Sequence, residues 1–468
     1  MTRELPMIAP RLLAELHAMF SADRVATDAD SLARYGLDWT RYYQPAPSAV
    51  VFPQTVDEVV AVVQWANREQ VALVPSGGRT GLSGGAVARQ GEVVVSFDRM
   101  KAISDFDPVA RTVRCQAGVI TEALQQFAAE NGLYYPVDFA SRGSSQIGGN
   151  IATNAGGIKV VRYGMTREWV AGLTVVTGKG EVLRLNNGLA KNNTGYDLRH
   201  LFVGSEGTLG FIVDATLKLA RQPAELGVMV LAVPQLTDIM KLFHAFRERL
   251  DLNAFEFFSE KAMRHVLARG HVKRPFEGEA DYYVLLEFEK LAADTEEVAL
   301  AVFEACAEQG WLVDGVLSQS EQQAKDLWRL REDISESITP YKPYKNDIAV
   351  TVSRVPAFVE RLDAILSREY PDFEVLWYGH IGDGNLHINI LKPDALELDD
   401  FRRACEQVNE HVFSLVGEFG GSMSAEHGVG LLKRDYLDVT RSVEEIALMR
   451  AIKAVFDPNG VMNPGKLL

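Results

Sequence analysis

Three glycine-rich segments constrain the fold of this 468-residue chain more than any other feature. They are PSGGRTGLSGG at 75–85, GSSQIGGNIATNAGG at 143–157 and GSEGTLG at 204–210. Glycine lets successive backbone N–H groups turn toward one point and approach a ligand closely, but it packs nothing in a core and costs stability. A hairpin without a ligand remains an alternative for the first segment alone. The three segments together favour a large, flat ligand that lies against bare backbone.

The same segments and the composition exclude several classes of protein. No Gly-Lys-Ser/Thr follows the first segment, so it is not a triphosphate-binding loop, and it does not fit GxGxxG leading straight into a helix, which disfavours a nicotinamide site. The net charge is -15 without a basic run, which argues against nucleic acid as a partner. The three cysteines lack CxxC spacing, so a disulfide framework, an iron–sulfur cluster and a cysteine zinc site are all disfavoured.

The hydrophobic pattern predicts four regions along the chain. Residues 1–41 are predicted to be helical, with a second, capped helix near TDADSLARY. Residues 42–221 alternate short apolar strands with helices and hold all three glycine-rich segments. Residues 222–443 alternate strands with long helices as a separate α+β domain, and residues 444–468 form a C-terminal segment that returns to the first domain. The N-terminus has no continuous apolar run, so we expect a cytoplasmic protein.

Two histidine-containing stretches are candidates for a metal site. The stretch WYGHIGDGNLHIN at 377–389 predicts a hairpin with GDGN as its turn, which points His387 and Asn389 to one face. The stretch SAEHGVG at 424–430 places Glu426 and His427 in a loop after a long helix. Two imidazoles and a carboxylate are a common donor set for a divalent ion with an open position. The alternative for any single buried histidine is a purely structural hydrogen bond.

These motifs, in this order and together with the closing NPGK, resemble the vanillyl-alcohol oxidase superfamily. Within it they are most similar to the branch of D-lactate, glycolate and D-2-hydroxyglutarate dehydrogenases. The resemblance implies an α+β protein: a two-lobed FAD-binding domain plus a substrate or cap domain with a helix-covered antiparallel sheet. It also implies FAD, bound non-covalently because the first loop lacks a histidine. The residues implied to bind FAD are Ser76, Gly77, Gly78, Arg79, Thr80, Gly81, Leu82, Ser83, Pro136, Asp138, Gly143, Ser144, Ile147, Gly148, Gly149, Thr153, Asn154, Gly157, Glu206, Gly207, Ile212 and Asn463.

The resemblance also assigns the metal and substrate residues. It makes His380, His387 and Glu426 the ligands of a divalent ion, zinc or alternatively manganese, with His427 as the catalytic base and Asn389 as a substrate contact. The further substrate residues that it implies are Arg331, Ser335 and Lys345. Arg331 and Ser335 share one face of a predicted helix, and Ser335 stands where the resembling enzymes carry Thr, which keeps the hydroxyl. The alternative is that Arg331 and Lys345 are ordinary solvated charges.

The two cations, Arg331 and Lys345, favour a dicarboxylate substrate, because a second carboxylate must be paired once it loses its water. We therefore expect oxidation of D-2-hydroxyglutarate to the 2-oxo acid, with D-malate as the next candidate, by hydride transfer to flavin N5. The expected electron acceptor is an electron-transferring flavoprotein or a quinone, and a homodimer is the expected assembly. The alternatives are a D-lactate or glycolate dehydrogenase, an oxidase that reduces oxygen, a non-catalytic flavoprotein subunit for electron transfer or regulation, and a flavin-free binding protein.

Overall fold

The computed structural model describes residues 8–40 and 42–468, which divide into two compact units. Unit 1 contains the described residues up to Gly156 together with Met165–Gln222 and Glu426–Leu468. Unit 2 contains Gly157–Gly164 and Pro223–Ala425. The division near 222 lies beside the predicted boundary, whereas the chain re-enters unit 1 at Glu426 rather than at 444. Of the predicted N-terminal helical region, residues 1–7 and Arg41 lie outside the described part.

The first lobe of unit 1 is a mostly parallel sheet covered by helices. Its strands are β1 (Val25–Ala26), β2 (Ala49–Val51), β3 (Leu73–Ser76) and β4 (Val93–Ser96), in the order β1-β2-β4-β3. Its helices are α1 (Pro10–Met19), α2 (Ala29–Tyr35) and α3 (Val56–Glu69). Asp28 accepts from the Ser31 N–H and so caps α2, as the sequence predicts. The first glycine-rich segment begins where β3 ends.

The second lobe of unit 1 is an antiparallel sheet in the order β5-β6-β10-β8-β9, beside the small β11-β7 pair. Its strands are β5 (Ile103–Asp107), β6 (Thr112–Gln116), β7 (Leu133–Tyr134), β8 (Val170–Thr177), β9 (Val182–Leu185), β10 (Gly210–Lys218) and β11 (Ala220–Arg221). The helices in this stretch of chain are α4 (Thr121–Glu130), α5 (Ile147–Thr153), α6 (Val160–Tyr163), which belongs to unit 2, α7 (Thr166–Trp169) and α8 (Arg199–Phe202). Helix α5 carries the middle of the second glycine-rich segment.

Unit 2 is built on a seven-stranded antiparallel sheet in the order β15-β12-β14-β13-β17-β18-β16. Its strands are β12 (Leu226–Val233), β13 (Leu252–Ser259), β14 (Tyr282–Glu289), β15 (Asp314–Leu317), β16 (Tyr344–Ala349), β17 (Val375–Gly379) and β18 (Asn385–Ile390). Its helices are α9 (Ile239–Arg247), α10 (Glu260–Leu267), α11 (Thr295–Glu308), α12 (Glu321–Glu332), α13 (Ile334–Ile338), α14 (Val355–Glu369) and α15 (Leu398–Glu418). Apolar residues of α10, α12 and α13 bury one face of the sheet in a single core. The predicted helix-covered antiparallel sheet is confirmed.

The C-terminal segment contributes α16 (Leu437–Thr440) and α17 (Val443–Phe456) to unit 1. A capping box formed by Ser442 and Glu445 begins α17. After α17 the chain runs beside β3, where Leu73 donates its N–H to the Val461 carbonyl and accepts from the Asn463 N–H. This pairing holds Asn463 next to the strand that leads into the first glycine-rich segment.

One local prediction differs from the structure. The helix predicted to carry both Arg331 and Ser335 ends at Glu332, and α13 begins at Ile334 after the cap residue Asp333. No helix among the described residues is both long and apolar enough to cross a membrane.

Candidate functional site

The three glycine-rich segments of unit 1 pack against one another, and we call this region the glycine cradle. A Cβ added to Gly78 would lie 2.2 Å from the Ser144 carbonyl oxygen, so the first segment touches the backbone of the second. A Cβ on Gly148 would lie 2.6 Å from the Ala117 Cβ, and one on Gly207 would lie 2.6 Å from a ring carbon of Pro75. Only glycine permits these approaches.

Glu206 and Asn463 connect the third segment to the C-terminal chain. The buried Glu206 carboxylate accepts from the Val429 N–H at 2.7 Å and the Gly430 N–H at 2.9 Å. Burial raises the pKa of Glu206. The Asn463 amide donates to the Gly85 carbonyl at 2.9 Å and to the Glu206 carbonyl at 2.7 Å. Residues that are far apart in the sequence therefore close one side of the cradle.

Several non-glycine residues of the cradle have a strained backbone. Left-handed φ values are uncommon outside glycine, and such strain clusters at functional sites because the surrounding structure must impose it. Four residues predicted to bind FAD have this conformation: Arg79 (φ 60°), Asn154 (φ 50°), Glu206 (φ 52°) and Asn463 (φ 42°). Backbone strain at these four positions fits a ligand-binding role.

The cradle also presents buried polar atoms that make no hydrogen bond within the described residues. They are Ser76 Oγ, Gln146 Oε1 and Asn463 Oδ1. Leaving such an atom unpaired costs about 1–3 kcal/mol. Gly149 is exposed, and a Cβ added there would meet no atom within 4 Å. Open backbone beside unused polar atoms fits a large polar ligand such as a flavin nucleotide.

Other residues predicted to bind FAD differ in their hydrogen bonds, their burial and the unit to which they belong. Thr153 donates to the Gly149 carbonyl at 3.1 Å, and Asp138 accepts from Arg142 at 2.9 Å. Ile147 and Ile212 are buried in a hydrophobic cluster of the second lobe. Gly157 belongs to unit 2. The sequence reasoning missed Gln146, although its position among the glycines of GSSQIGGN is a usable signal.

Unit 2 holds a buried charged cluster on the sheet. Its centre is Glu256 of β13, whose carboxylate oxygens lie 2.8 Å from His380 Nδ1 and 2.8 Å from Arg331 Nη2. All three side chains are buried. The sequence reasoning missed Glu256, yet a lone carboxylate within the apolar strand LNAFEFFS is a signal, because a buried charge needs a partner.

The two histidines lie on the predicted hairpin, which is confirmed as the antiparallel β17–β18 pair. Their ring centroids are 5.3 Å apart. His387 Nδ1 lies 3.7 Å from the fully buried carboxylate of Asp347, which accepts from the Asn385 amide at 2.9 Å. The hairpin therefore brings two imidazoles together, each with a carboxylate on its Nδ1 side.

Arg331 and Asn389 are buried with unused hydrogen-bonding groups. Arg331 is 6% exposed, which excludes the solvated alternative for it, and it lies over the Tyr378 ring at 4.8 Å. Its contact with Glu256 is close in distance but lacks hydrogen-bond angles, so Nε and Nη2 make no hydrogen bond with any described residue. Asn389 is 1% exposed, and neither its amide nitrogen nor its oxygen has a partner among the described residues. Both side chains are suited to bind a polar ligand.

Lys345 supplies a second cation to the same sheet. It lies on β16 opposite Asn389 of β18, and its Nζ donates to Ser335 Oγ at 3.0 Å. Burial lowers the pKa of Lys345 to about 8, because the charged form loses water. The structure thus brings together Ser335, Lys345 and Asn389, three of the predicted substrate residues. Arg331, on the preceding helix, reaches Glu256 instead of Ser335.

Glu426 and His427 belong to unit 1, at the point where the chain returns to it. His427 Nε2 lies 3.9 Å from Glu426 Oε1, and both side chains are partly exposed. They follow the long helix α15 in a loop, as predicted. A carboxylate and an imidazole on neighbouring residues can supply a ligand and a proton acceptor.

Comparisons with known proteins identify the family and the fold. The family model for the C-terminal domain of FAD linked oxidases matches residues 222–467, and an FAD binding domain model matches residues 47–186. A D-2-hydroxyglutarate dehydrogenase of Stutzerimonas stutzeri is 61% identical over 98% of this chain and 99% of its own. A D-2-hydroxyglutarate dehydrogenase of Xanthomonas citri pv. viticola is 56% identical over 98% of this chain and 97% of its own. The fold resembles 4-ethylphenol oxidase from Gulosibacter chungangensis, with a TM-score of 0.77 at 15% identity, over 99% of this chain and 98% of that one.

Gly149→Ala tests whether the cradle holds a ligand. The added methyl meets no protein atom and lies in helix α5, so we expect the FAD-free protein to be about 0.5–1 kcal/mol more stable. A bound flavin would meet the methyl, which should weaken FAD affinity by about 1–3 kcal/mol. Thermal unfolding and FAD titration of the FAD-free protein measure the two effects. Unchanged FAD affinity would show that the ligand does not reach Gly149.

Proposed function

The chain belongs to the family of FAD-linked oxidases, and from this we propose that it oxidises D-2-hydroxyglutarate to the corresponding 2-oxo acid. The family and the two relatives make it an FAD-dependent hydroxy-acid dehydrogenase. One observation carries the choice of substrate: unit 2 holds two cations, the buried Arg331 and the half-buried Lys345, and Arg331 and Asn389 retain unused donors.

The chemistry of the substrate explains why two cations are needed. Lactate and glycolate carry one carboxylate, which a metal and one arginine can hold. D-2-Hydroxyglutarate carries a second carboxylate, and burying it without a partner is strongly unfavourable. We assign Lys345 and Ser335 to that distal carboxylate and Arg331 and Asn389 to the rest of the substrate. D-Malate, a shorter dicarboxylate, is the second candidate.

The glycine cradle is suited to FAD because it offers bare backbone and unpaired polar atoms. The loop from Ser76 to Ser83 would hold the diphosphate, and the segment from Gly143 to Asn154 would hold the isoalloxazine and ribityl parts. Bound FAD supplies a hydride acceptor for the hydrogen on C2 of the substrate. The loop has no histidine, so we propose non-covalent binding.

We further propose His380, His387 and Glu426 as the ligands of a divalent metal, zinc or alternatively manganese. The Glu256 carboxylate, 2.8 Å from His380 Nδ1, supports the assignment of His380, since metal-binding histidines usually donate their other N–H to such a group. A bound metal supplies a Lewis acid for the C2 hydroxyl. His427 is proposed to take the hydroxyl proton, and Arg331 to orient the substrate. The electrons then pass to a separate acceptor, for which we propose an electron-transferring flavoprotein or a quinone.

The substrate assignment predicts the order of specificity. With an artificial dye as acceptor, kcat/KM should be highest for D-2-hydroxyglutarate, then D-malate, with D-lactate and glycolate at least about tenfold lower, because they leave Lys345 unpaired. Steady-state kinetics over the four acids measures this. A preference for D-lactate or glycolate would contradict the proposed substrate but leave the family unaffected.

Lys345→Ala should show whether Lys345 binds the distal carboxylate of the substrate. Loss of one charge-assisted hydrogen bond, worth about 1.5–3 kcal/mol, should lower kcat/KM for D-2-hydroxyglutarate by roughly 10–150-fold. D-Lactate should lose much less. Lys325→Ala, an exposed lysine on the same helix as Arg331, is the matched control and should change neither. Equal losses for both acids would show that Lys345 does not contact the distal carboxylate.

Metal removal should abolish turnover without releasing the flavin, since the cradle uses no residue of the proposed metal set. Prolonged treatment with a chelator, followed by metal analysis, should give inactive protein that keeps its visible flavin absorption. Zinc or manganese should restore activity. Full turnover in protein verified to be free of metal would refute the ligand assignment.

A further inference from the structure

We propose that Glu256 is a positioning residue that fixes the orientation and tautomer of His380, and thereby raises the affinity of the proposed ligand set for a metal. The inference rests on the proposed function, because it takes His380 to be a metal ligand. It concerns a residue that no sequence motif singled out. Glu256 itself touches neither substrate nor cofactor in this account.

Glu256 is buried in an apolar part of the sheet, so its charge must be compensated by neighbouring groups. It lies near the middle of β13, between β14 and β17, and its side chain is 1% exposed. The neighbouring strand residues Phe255 and Phe257 are fully buried. A carboxylate in such surroundings needs groups that compensate its charge. Glu256 Oε1 lies 2.8 Å from His380 Nδ1, and Oε2 lies 2.8 Å from Arg331 Nη2 in an ion pair without hydrogen-bond geometry.

The carboxylate determines which nitrogen of His380 carries the proton. An ionised carboxylate can only accept hydrogen bonds, so the 2.8 Å contact requires a proton on His380 Nδ1. A neutral imidazole protonated at Nδ1 has its lone pair on Nε2, and a lone pair is what a metal ligand must offer. Glu256 thus prepares His380 for ligation in the absence of metal.

Arg331 compensates the negative charge that this arrangement buries. Its Nη2 lies 2.8 Å from Glu256 Oε2, and the Tyr378 ring lies 4.8 Å from its guanidinium carbon. The arginine therefore has a carboxylate and an aromatic ring around it and still retains donors for a ligand.

Glu287 provides a matched control in the adjacent strand. It is also buried, on β14, where it binds Lys159 at 2.5 Å and accepts from the Trp328 indole at 2.9 Å. Neither of these partners is a histidine. Neutralising Glu287 breaks a buried ion pair of the same kind and so reproduces the structural cost of neutralising Glu256, without acting on His380.

The test compares zinc affinity in metal-stripped full-length protein, measured by competition with a chromogenic chelator. Glu256→Gln keeps the shape but allows either tautomer of His380, because an amide can donate as well as accept. We expect zinc to bind E256Q about 10–100-fold more weakly than wild type. E287Q should stay within about twofold of wild type, although both variants should unfold at a lower temperature.

A double-mutant cycle shows whether Glu256 acts through His380. In a His380→Ala background, E256Q should change zinc affinity by less than about twofold. Wild-type zinc affinity in E256Q, or an equal loss in E287Q, would overturn the inference. A full E256Q effect without His380 would overturn it as well. If wild-type protein itself bound no zinc or manganese, the proposed metal site would fail instead, which is a distinguishable result.

Discussion

A buried carboxylate held between an imidazole and a guanidinium is the constraint on which the chemistry of unit 2 depends. Glu256 lies in the interior of an otherwise apolar sheet, where an unpaired charge would cost several kcal/mol. His380 hydrogen-bonds one oxygen of this carboxylate, and Arg331 forms an ion pair with the other. The roles proposed for His380 as a metal ligand and for Arg331 as a substrate contact both depend on this one buried charge.

Unit 1 differs from unit 2, because we propose that backbone atoms rather than charged side chains hold its ligand. Glycines at the contacts between segments allow backbone approaches that any Cβ would prevent. Strained residues such as Arg79 and Asn463 turn the chain where glycine is not used. The stability lost to glycine and strain is recovered when a large cofactor is bound, since binding to the folded state alone stabilises it.

The sequence predicted the features that depend on residues close together in the chain. The glycine-rich segments, the β17–β18 hairpin and the helix-covered sheet follow from patterns within a few residues of one another. Glu256 was missed because its partners are 75 and 124 positions away, and periodicity carries no information on such contacts. The break between α12 and α13 was missed for another reason: one cap residue, Asp333, interrupts a pattern that is otherwise helical. Burial of Arg331 likewise depends on tertiary packing rather than on its neighbours in the chain.

We propose that a hydroxy diacid reduces a flavin bound to this chain. Purified, oxidised protein can be mixed with D-2-hydroxyglutarate under anaerobic conditions while the visible flavin absorption is followed in a single turnover. We expect rapid bleaching by D-2-hydroxyglutarate and little or none by its L-enantiomer. A colourless protein without FAD, or flavin that stays oxidised in the presence of D-2-hydroxyglutarate, would show that this reaction does not occur.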